Sequence, residues 1–452
     1  MSQIDRTRLP ELLAEEETRF AAEHPKSRAL AERARKSLLA GVPMNWMVRW
    51  AGRFPVFVTE GKGARFRCVD GRDYIDFCLG DTGSMTGHAP EAAVEAIARR
   101  AAQGITFMLP TEDAVWVGEE LQRRFGLAYW QMALTATDAN RFALRLARAV
   151  TRRPKVLVFN WCYHGTVDET FITLENGRPR ARPGNTGPQV DPTFTTKVVE
   201  WNDAAALEAA LAPGDVAAVL AEPALTNIGI VHPAPGFHEA LREITRRTGT
   251  LLIIDETHTI CAGPGGYTRA HGLAPDMLTL GKPIAGGVPA AVYGLTEELA
   301  ARVQAMSDYA TSDTGGIGGT LAGNALSLAA MRATLEQVLT EEAYRRTIGL
   351  ADRFTAGVEG AIRDFGLPWH VTQLGCRAEY WFCPERPRNG GEAAAAVDLE
   401  LERYMHLAAL NRGILMTPFH NMALIAPQTR EADIDRHTEV FRESVTPLLA
   451  RG

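Results

Sequence analysis

The chain has 452 residues, 46% of them hydrophobic, with 48 Lys and Arg against 54 Asp and Glu for a net charge of −6. That length exceeds what one hydrophobic core sustains, so two lobes or more are expected, and the balanced charge gives no electrostatic case for nucleic acid or an anionic membrane. No stretch approaches the roughly 20 apolar residues of a membrane span, and the six cysteines, Cys68, Cys78, Cys162, Cys261, Cys376 and Cys383, form no CxxC pair. A soluble, cytoplasmic protein with reduced thiols and no metal site is expected.

The first 40 residues read as charge-rich helix, and Gly41 to Pro55 is an aromatic, irregular segment that something should cover. From there to about residue 80, PVFVTEGKGARFRCVDGRDYIDFCLG alternates apolar and polar residues around Gly and Asp-Gly turns, which predicts an antiparallel meander. Between residues 90 and 300, short apolar runs alternate with amphipathic helices: KVLVF (155–159), VAAVLAEP (216–223), LLIID (251–255), MLTLGK (277–282) and AAVYGL (290–295). Such alternation predicts βαβ units and a mostly parallel sheet with helices on both faces. After Thr320 come a long helical stretch, strand-like segments at 376–382 and 413–426, an Ala-rich helix near 392, and a last helix opened by Thr429. The expected class is α/β: a large domain over 81–325, and a smaller α+β domain built from both chain ends, with 1–80 as the N-terminal segment and meander and 326–452 as the C-terminal part.

Function gathers at the carboxyl ends of parallel strands. Asp255 ends one apolar run, as the first acid of LIIDETHT, and Lys282 follows another. One reading is a buried ion pair. The other is a lysine that forms an imine with an aldehyde cofactor, while the carboxylate keeps the cofactor's pyridinium protonated as an electron sink. A phosphate would have a seat at LTATDANRFALRLARAV, where Thr135 to Thr137 open a helix whose Ala139, Phe142, Ala143, Leu146, Ala147 and Val150 form an apolar face. The glycine-rich GGIGGTLAGN (315–324) does not follow a strand, which disfavours a nicotinamide-binding fold.

Taken together, LLIIDETHT, PDMLTLGKPIAGGVPAAVYG, NWCYHG, TATDANRFALRLAR, LAEPALTNIGIVHPAPGFHEALREI and GGTLAGNALSLAA occur in an order that resembles the class III, fold type I pyridoxal-phosphate aminotransferases. The likeness is greatest to the glutamate-1-semialdehyde aminomutase-like and ω-amine transaminase branch, and it runs from about Gly41 to the end. It implies pyridoxal 5'-phosphate as cofactor, Lys282 as Schiff-base lysine and proton carrier, and Asp255 as partner of the pyridine nitrogen. It implies Tyr163 stacked on the ring, with His164 and Gly165 shaping that turn, and Ala136 and Thr137 at the phosphate. Thr320 would reach the phosphate of a neighbouring subunit, which makes a homodimer a requirement. Glu222 and Thr257 would surround the cofactor, Thr257 departing from the family's usual apolar residue.

For the substrate, Arg49 matches a carboxylate-binding arginine, with Trp46, Asn227 and His420 as further contacts. The aromatic and methionine content around Arg49 and in MTPFHNM (416–422) leads to the expectation of a ping-pong transaminase whose donor is a bulky or hydrophobic amine or β-amino acid and whose acceptor is a keto acid or aldehyde. The alternative is an aminomutase of the glutamate-1-semialdehyde type, or a racemase, needing no second substrate. A non-catalytic cofactor-binding protein is the distant third.

Overall fold

The computed structural model describes residues 4–187, 190–306 and 315–449. These fall into two compact units, one of residues 4–90, 342–386 and 396–449, the other of residues 91–306, 315–341 and 387–395.

The larger unit is organised by a seven-stranded sheet. In chain order its strands are β1 (Tyr129–Ala133), β2 (Lys155–Phe159), β3 (Thr196–Val199), β4 (Val216–Ala221), β5 (Leu251–Asp255), β6 (Met277–Leu280) and β7 (Ala291–Leu295). Their spatial order is β1-β7-β6-β5-β4-β2-β3. β7 runs antiparallel to both neighbours and the other adjacent pairs are parallel, so the sheet is mostly parallel, as expected. Five of the seven strands were anticipated. β1 and β3 were not: β1 is an edge strand with alternating exposure, and β3 is a four-residue stretch, TKVV, with a lysine inside it.

Every residue of β4, β5, β6 and β7 is buried, the signature of strands covered on both faces. The helix Ala136–Thr151 packs one face. Its Ala139, Phe142, Ala143, Leu146 and Ala147 join Val156, Val158, Ala218, Leu220, Ile253 and Met277 in one core, with Val150 at its margin. Phe237–Thr248 ends in Gly249 in the left-handed conformation, where a side chain would be strained, and so turns directly into β5.

The smaller unit carries the expected meander, Val58–Lys62, Arg65–Cys68 and Asp73–Asp76, antiparallel in succession, with Ile414–Leu415 added in parallel. A second antiparallel sheet joins His370–Leu374, Arg377–Trp381 and Met422–Leu424. The segment 41–55 folds into short turns. Ala51 and Phe54 are buried with Phe20, Phe66 and Tyr74, while Met44, Met47 and Val48 are exposed. The last helix starts at Glu431, two residues later than expected. Thr429 Oγ1 instead accepts from Ala426 N at 3.1 Å and closes the preceding turn, and Asp433 Oδ2 accepts from Arg430 N at 3.0 Å.

Candidate active site

The carboxyl edge of the sheet is built from the ends of β5 and β6. In their parallel register Asp255 pairs with Thr279, three residues before Lys282. Asp255 therefore ends its strand beside the segment that delivers the lysine. Lys282 itself has φ +57°, a left-handed backbone rare for a side chain with a Cβ, and is flanked by Gly281 and Pro283.

Asp255 is 4% exposed and accepts three hydrogen bonds. Its Oδ2 accepts from His164 Nδ1 at 2.9 Å and Asn140 Nδ2 at 2.8 Å, and its Oδ1 from Thr257 N at 3.0 Å. Burial alone would raise this carboxyl, but His164 first, then Thr257 and Asn140, outweigh it and hold the group below the usual carboxylate range. Asn140 Oδ1 accepts from Thr279 Oγ1 at 2.6 Å, tying the helix Ala136–Thr151 to β6 as well.

The adjacent acid, Glu256, has a different task. It accepts from Thr259 Oγ1 at 2.5 Å, Tyr267 N at 3.1 Å and Thr268 N at 2.5 Å, pinning the turn that follows β5. A Cβ on Gly266 would stand 2.5 Å from Glu256 Oε2, so this glycine of the unusual CAGPGG stretch is what lets that turn close over the carboxylate. Burial raises Glu256, as it does Glu222 at the end of β4. Glu222 accepts from Thr226 N at 3.0 Å, from Thr226 Oγ1, and from Tyr163 N at 3.4 Å.

Two glycines draw the remaining residues together. A Cβ on Gly165 would lie 2.1 Å from Thr137 Oγ1, so the Tyr163–Gly165 turn rests directly on the start of the helix Ala136–Thr151. A Cβ on Gly281 would lie 3.1 Å from Ala136 Cβ and 3.2 Å from Ala136 N, which sets Lys282 beside the same helix start. Thr135 caps that helix by accepting from Asp138 N at 3.2 Å, and Thr137 Oγ1 accepts from Thr166 N at 3.0 Å. The first-turn N–H groups of Ala136 and Thr137 have no acceptor one turn back in the helix and point outward with its positive end, a ready seat for a dianion.

Ala136, Thr137, Tyr163, Glu222, Asp255, Thr257 and Lys282 thus share one edge of the larger unit. Asn227 lies in the loop after β4, half-buried, one residue beyond the Thr226 that Glu222 holds. Thr320 is exposed in a turn before the helix Ala325–Gln337. The other expected residues belong to the smaller unit. There the Arg49 guanidinium lies 4.9 Å over the Phe419 ring, Trp46 meets Phe419 edge-on at 5.5 Å, and His420 Nδ1 is 3.6 Å from Glu379 Oε1. Burial lowers His420 to about 4, so it is neutral at neutral pH.

Two contributors are not assigned from the sequence, Asn140 and His258, and a third, His164, expected to shape its turn, is a direct partner of Asp255. Asn140 is a fully buried polar residue on an otherwise apolar helix face, a signal visible in the sequence in retrospect. His258 stands with Nε2 2.8 Å from Lys282 Nζ, 24 residues away in the chain.

The edge fits a phosphorylated pyridine aldehyde on its own chemistry: a buried anion, a lysine amine, open helix N–H groups, and Thr257 Oγ1, which is buried without a hydrogen-bond partner among the described residues. With this sheet order, it defines an enzyme of the fold type I, pyridoxal-phosphate-dependent kind.

Residues 46–443 match the model for aminotransferase class-III, and the chain belongs to that family. A glutamate-1-semialdehyde 2,1-aminomutase from Sorangium cellulosum is 34% identical over 430 residues, 93% of this chain and 96% of that protein. The crystal structure of a glutamate-1-semialdehyde-aminomutase from Pseudomonas aeruginosa PAO1 is 51% identical, with TM-score 0.97 over 99% of this chain and 100% of that one, and a variant of it was solved in complex with PMP. A β-phenylalanine aminotransferase from Variovorax paradoxus is 26% identical, with TM-score 0.85 over 98% and 100% of the two chains.

These comparisons overturn the expected bulky-amine transaminase: the aminomutases match at 34% and 51% identity, the transaminase at 26%. The aromatic and methionine side chains of 46–50 and 416–422 do not form the expected hydrophobic lining: Trp46 packs on Phe419, Met422 is buried and Met47 is exposed. Among the described residues no helix is long and apolar enough to cross a membrane.

Proposed function

We propose that the chain is an aminomutase of the glutamate-1-semialdehyde type, moving an amino group from carbon 2 to carbon 1 of one substrate with no second substrate consumed. The observation that carries this reading is 51% identity spread over essentially the whole of both chains with a glutamate-1-semialdehyde-aminomutase. Transaminase relatives of similar coverage stand at 26–28%.

Pyridoxal phosphate, when bound, supplies a carbonyl that joins the substrate amine and a ring that accepts electron density. The protein's part follows from its own groups. Lys282 Nζ would hold the cofactor covalently, and its amine would move the proton that one reacting carbon loses and the other gains. Asp255 supplies a fixed negative charge for the pyridine nitrogen, and its three hydrogen bonds keep it ionised despite burial. Ala136 and Thr137 would seat the phosphate at the helix start. Tyr163 would cover the ring, with Glu222 bracing the Tyr163 turn through its backbone N–H and Thr257 adding a hydroxyl.

Arg49 is proposed to bind the substrate carboxylate. In support, the Arg49 guanidinium lies over the Phe419 ring, a contact made through its face rather than its N–H edges. Trp46, Asn227 and His420 are proposed as flanking contacts, His420 as a neutral imidazole. The chain is proposed to act as a cytoplasmic homodimer, with Thr320 of one copy serving the phosphate of the other. In support, Thr320 is exposed in its own chain, and Phe107, Met108 and Leu109 form a run of large apolar side chains that are 48%, 74% and 73% exposed. Light scattering on the purified protein tests the dimer, which a monomer at assay concentration would exclude. The reaction is tested by supplying glutamate-1-semialdehyde alone and following its isomer, 5-amino-4-oxopentanoate.

A further inference from the structure

In the DETHT run the His258 side chain meets the lysine, and its neighbours explain why it stands there. Asp255 is anchored by His164 and Asn140, while Glu256 is anchored by Thr259 and by two backbone N–H groups at Tyr267 and Thr268. The backbone before His258 is therefore fixed by contacts that do not involve Lys282. From that fixed base the imidazole, 8% exposed, reaches across to the segment after β6 and places Nε2 2.8 Å from Lys282 Nζ. Lys282 starts from a left-handed backbone, and aiming so long a side chain at one position costs rotamer freedom that a fixed partner helps to offset.

We propose that His258 is a positioning residue for Lys282: its Nε2 accepts a hydrogen bond from the amine and holds Nζ aimed at the position where it bonds the cofactor and takes up the migrating proton. This rests on Lys282 being the amine that engages the cofactor. The bland alternative is a buried histidine that uses the nearest donor for stability alone. The two differ in what a shape-preserving acceptor restores. Glutamine offers an oxygen near the Nε2 position; leucine offers bulk and no acceptor.

The test compares the parent with His258→Leu and His258→Gln. One measurement is the rate at which cofactor-stripped protein captures pyridoxal phosphate covalently, fixed with borohydride and located by peptide mass. The others are kcat, KM and the thermal midpoint. The expected result is a loss of about tenfold in capture rate and kcat for His258→Leu with KM within about twofold, and recovery of most of that loss in His258→Gln. Capture and kcat in His258→Leu within about twofold of the parent would overturn the proposal, as would equal losses in both variants that track a fall in thermal midpoint. Should His258→Leu not fold, His258→Asn replaces it: its shorter side chain should capture slowly where His258→Gln does not, and equal rates overturn the proposal. A Lys282→Ala protein that captures cofactor as fast as the parent would instead overturn the assignment of Lys282, an outcome distinct from any result at His258.

Discussion

His164 and Asp255, 91 residues apart in the chain, meet inside the larger unit with Nδ1 2.9 Å from Oδ2, and neither side chain is more than 4% exposed. The contact joins the turn after β2 to the end of β5. It also makes the charge at the sheet edge a property of a pair rather than of one carboxylate.

That pair gives stability a pH dependence with a definite sign. His164 is raised from 6.5 to about 10: burial works against this, and the influence of Cys162 and then Asp255 overcomes it. Asp255 lies below its ordinary 3.8. A raised histidine contributes stability that is complete below 6.5 and lost as pH rises towards about 10. A lowered aspartate contributes above 3.8 and loses that contribution as pH falls below it. The thermal midpoint of the parent should therefore exceed that of His164→Gln most clearly near pH 6, with the gap narrowing towards pH 10. A gap that stays constant over that interval would show that the pair does not titrate in this way.

Asp255→Asn keeps the size of the side chain and two of its acceptor contacts while removing the charge. Fixed charges aimed at a reacting group contribute about 10²–10³-fold in rate, so kcat should fall by that much while the fold is retained. Steady-state kinetics with circular dichroism in parallel distinguish this from unfolding.

Asn140→Ala strips Asp255 of one donor and leaves Thr279 Oγ1 without its acceptor. Leaving buried polar groups unsatisfied costs about 1–3 kcal/mol, so urea unfolding should show a loss in that range. A change near zero would mean that the network is not taut.

At Gly165 the obstacle is steric. With φ +75° and a Cβ only 2.1 Å from Thr137 Oγ1, Gly165→Ala must push the turn off the helix start. Titration of cofactor-stripped protein with pyridoxal phosphate should show affinity reduced about tenfold or more, a backbone cost of about 1–3 kcal/mol appearing in binding. Unchanged affinity would argue that Ala136 and Thr137 do not seat the phosphate.

Much of this edge was legible in the sequence because strands buried on both faces must be apolar throughout. LLIID and MLTL therefore announced themselves, and the polar residues ending such runs stood out. β1 and β3 lacked that signature, the first being half-exposed and the second short and interrupted by Lys197. Asn140 was visible as a polar intruder on an apolar face, but its partner was not. His258 could not be placed at all, since its meeting with Lys282 depends on how the turn pinned by Glu256 projects the imidazole. The substrate was misjudged for a related reason: tryptophan beside arginine reads the same whether it lines a pocket or packs on a phenylalanine.

The central claim is that one substrate rearranges without a partner. Purified protein with pyridoxal phosphate should convert glutamate-1-semialdehyde to 5-amino-4-oxopentanoate in equal amounts with no keto acid added, and Lys282→Ala should abolish that conversion. A reaction that proceeds only when a keto acid or aldehyde is supplied, and that yields that compound's amine as a second product, would contradict it.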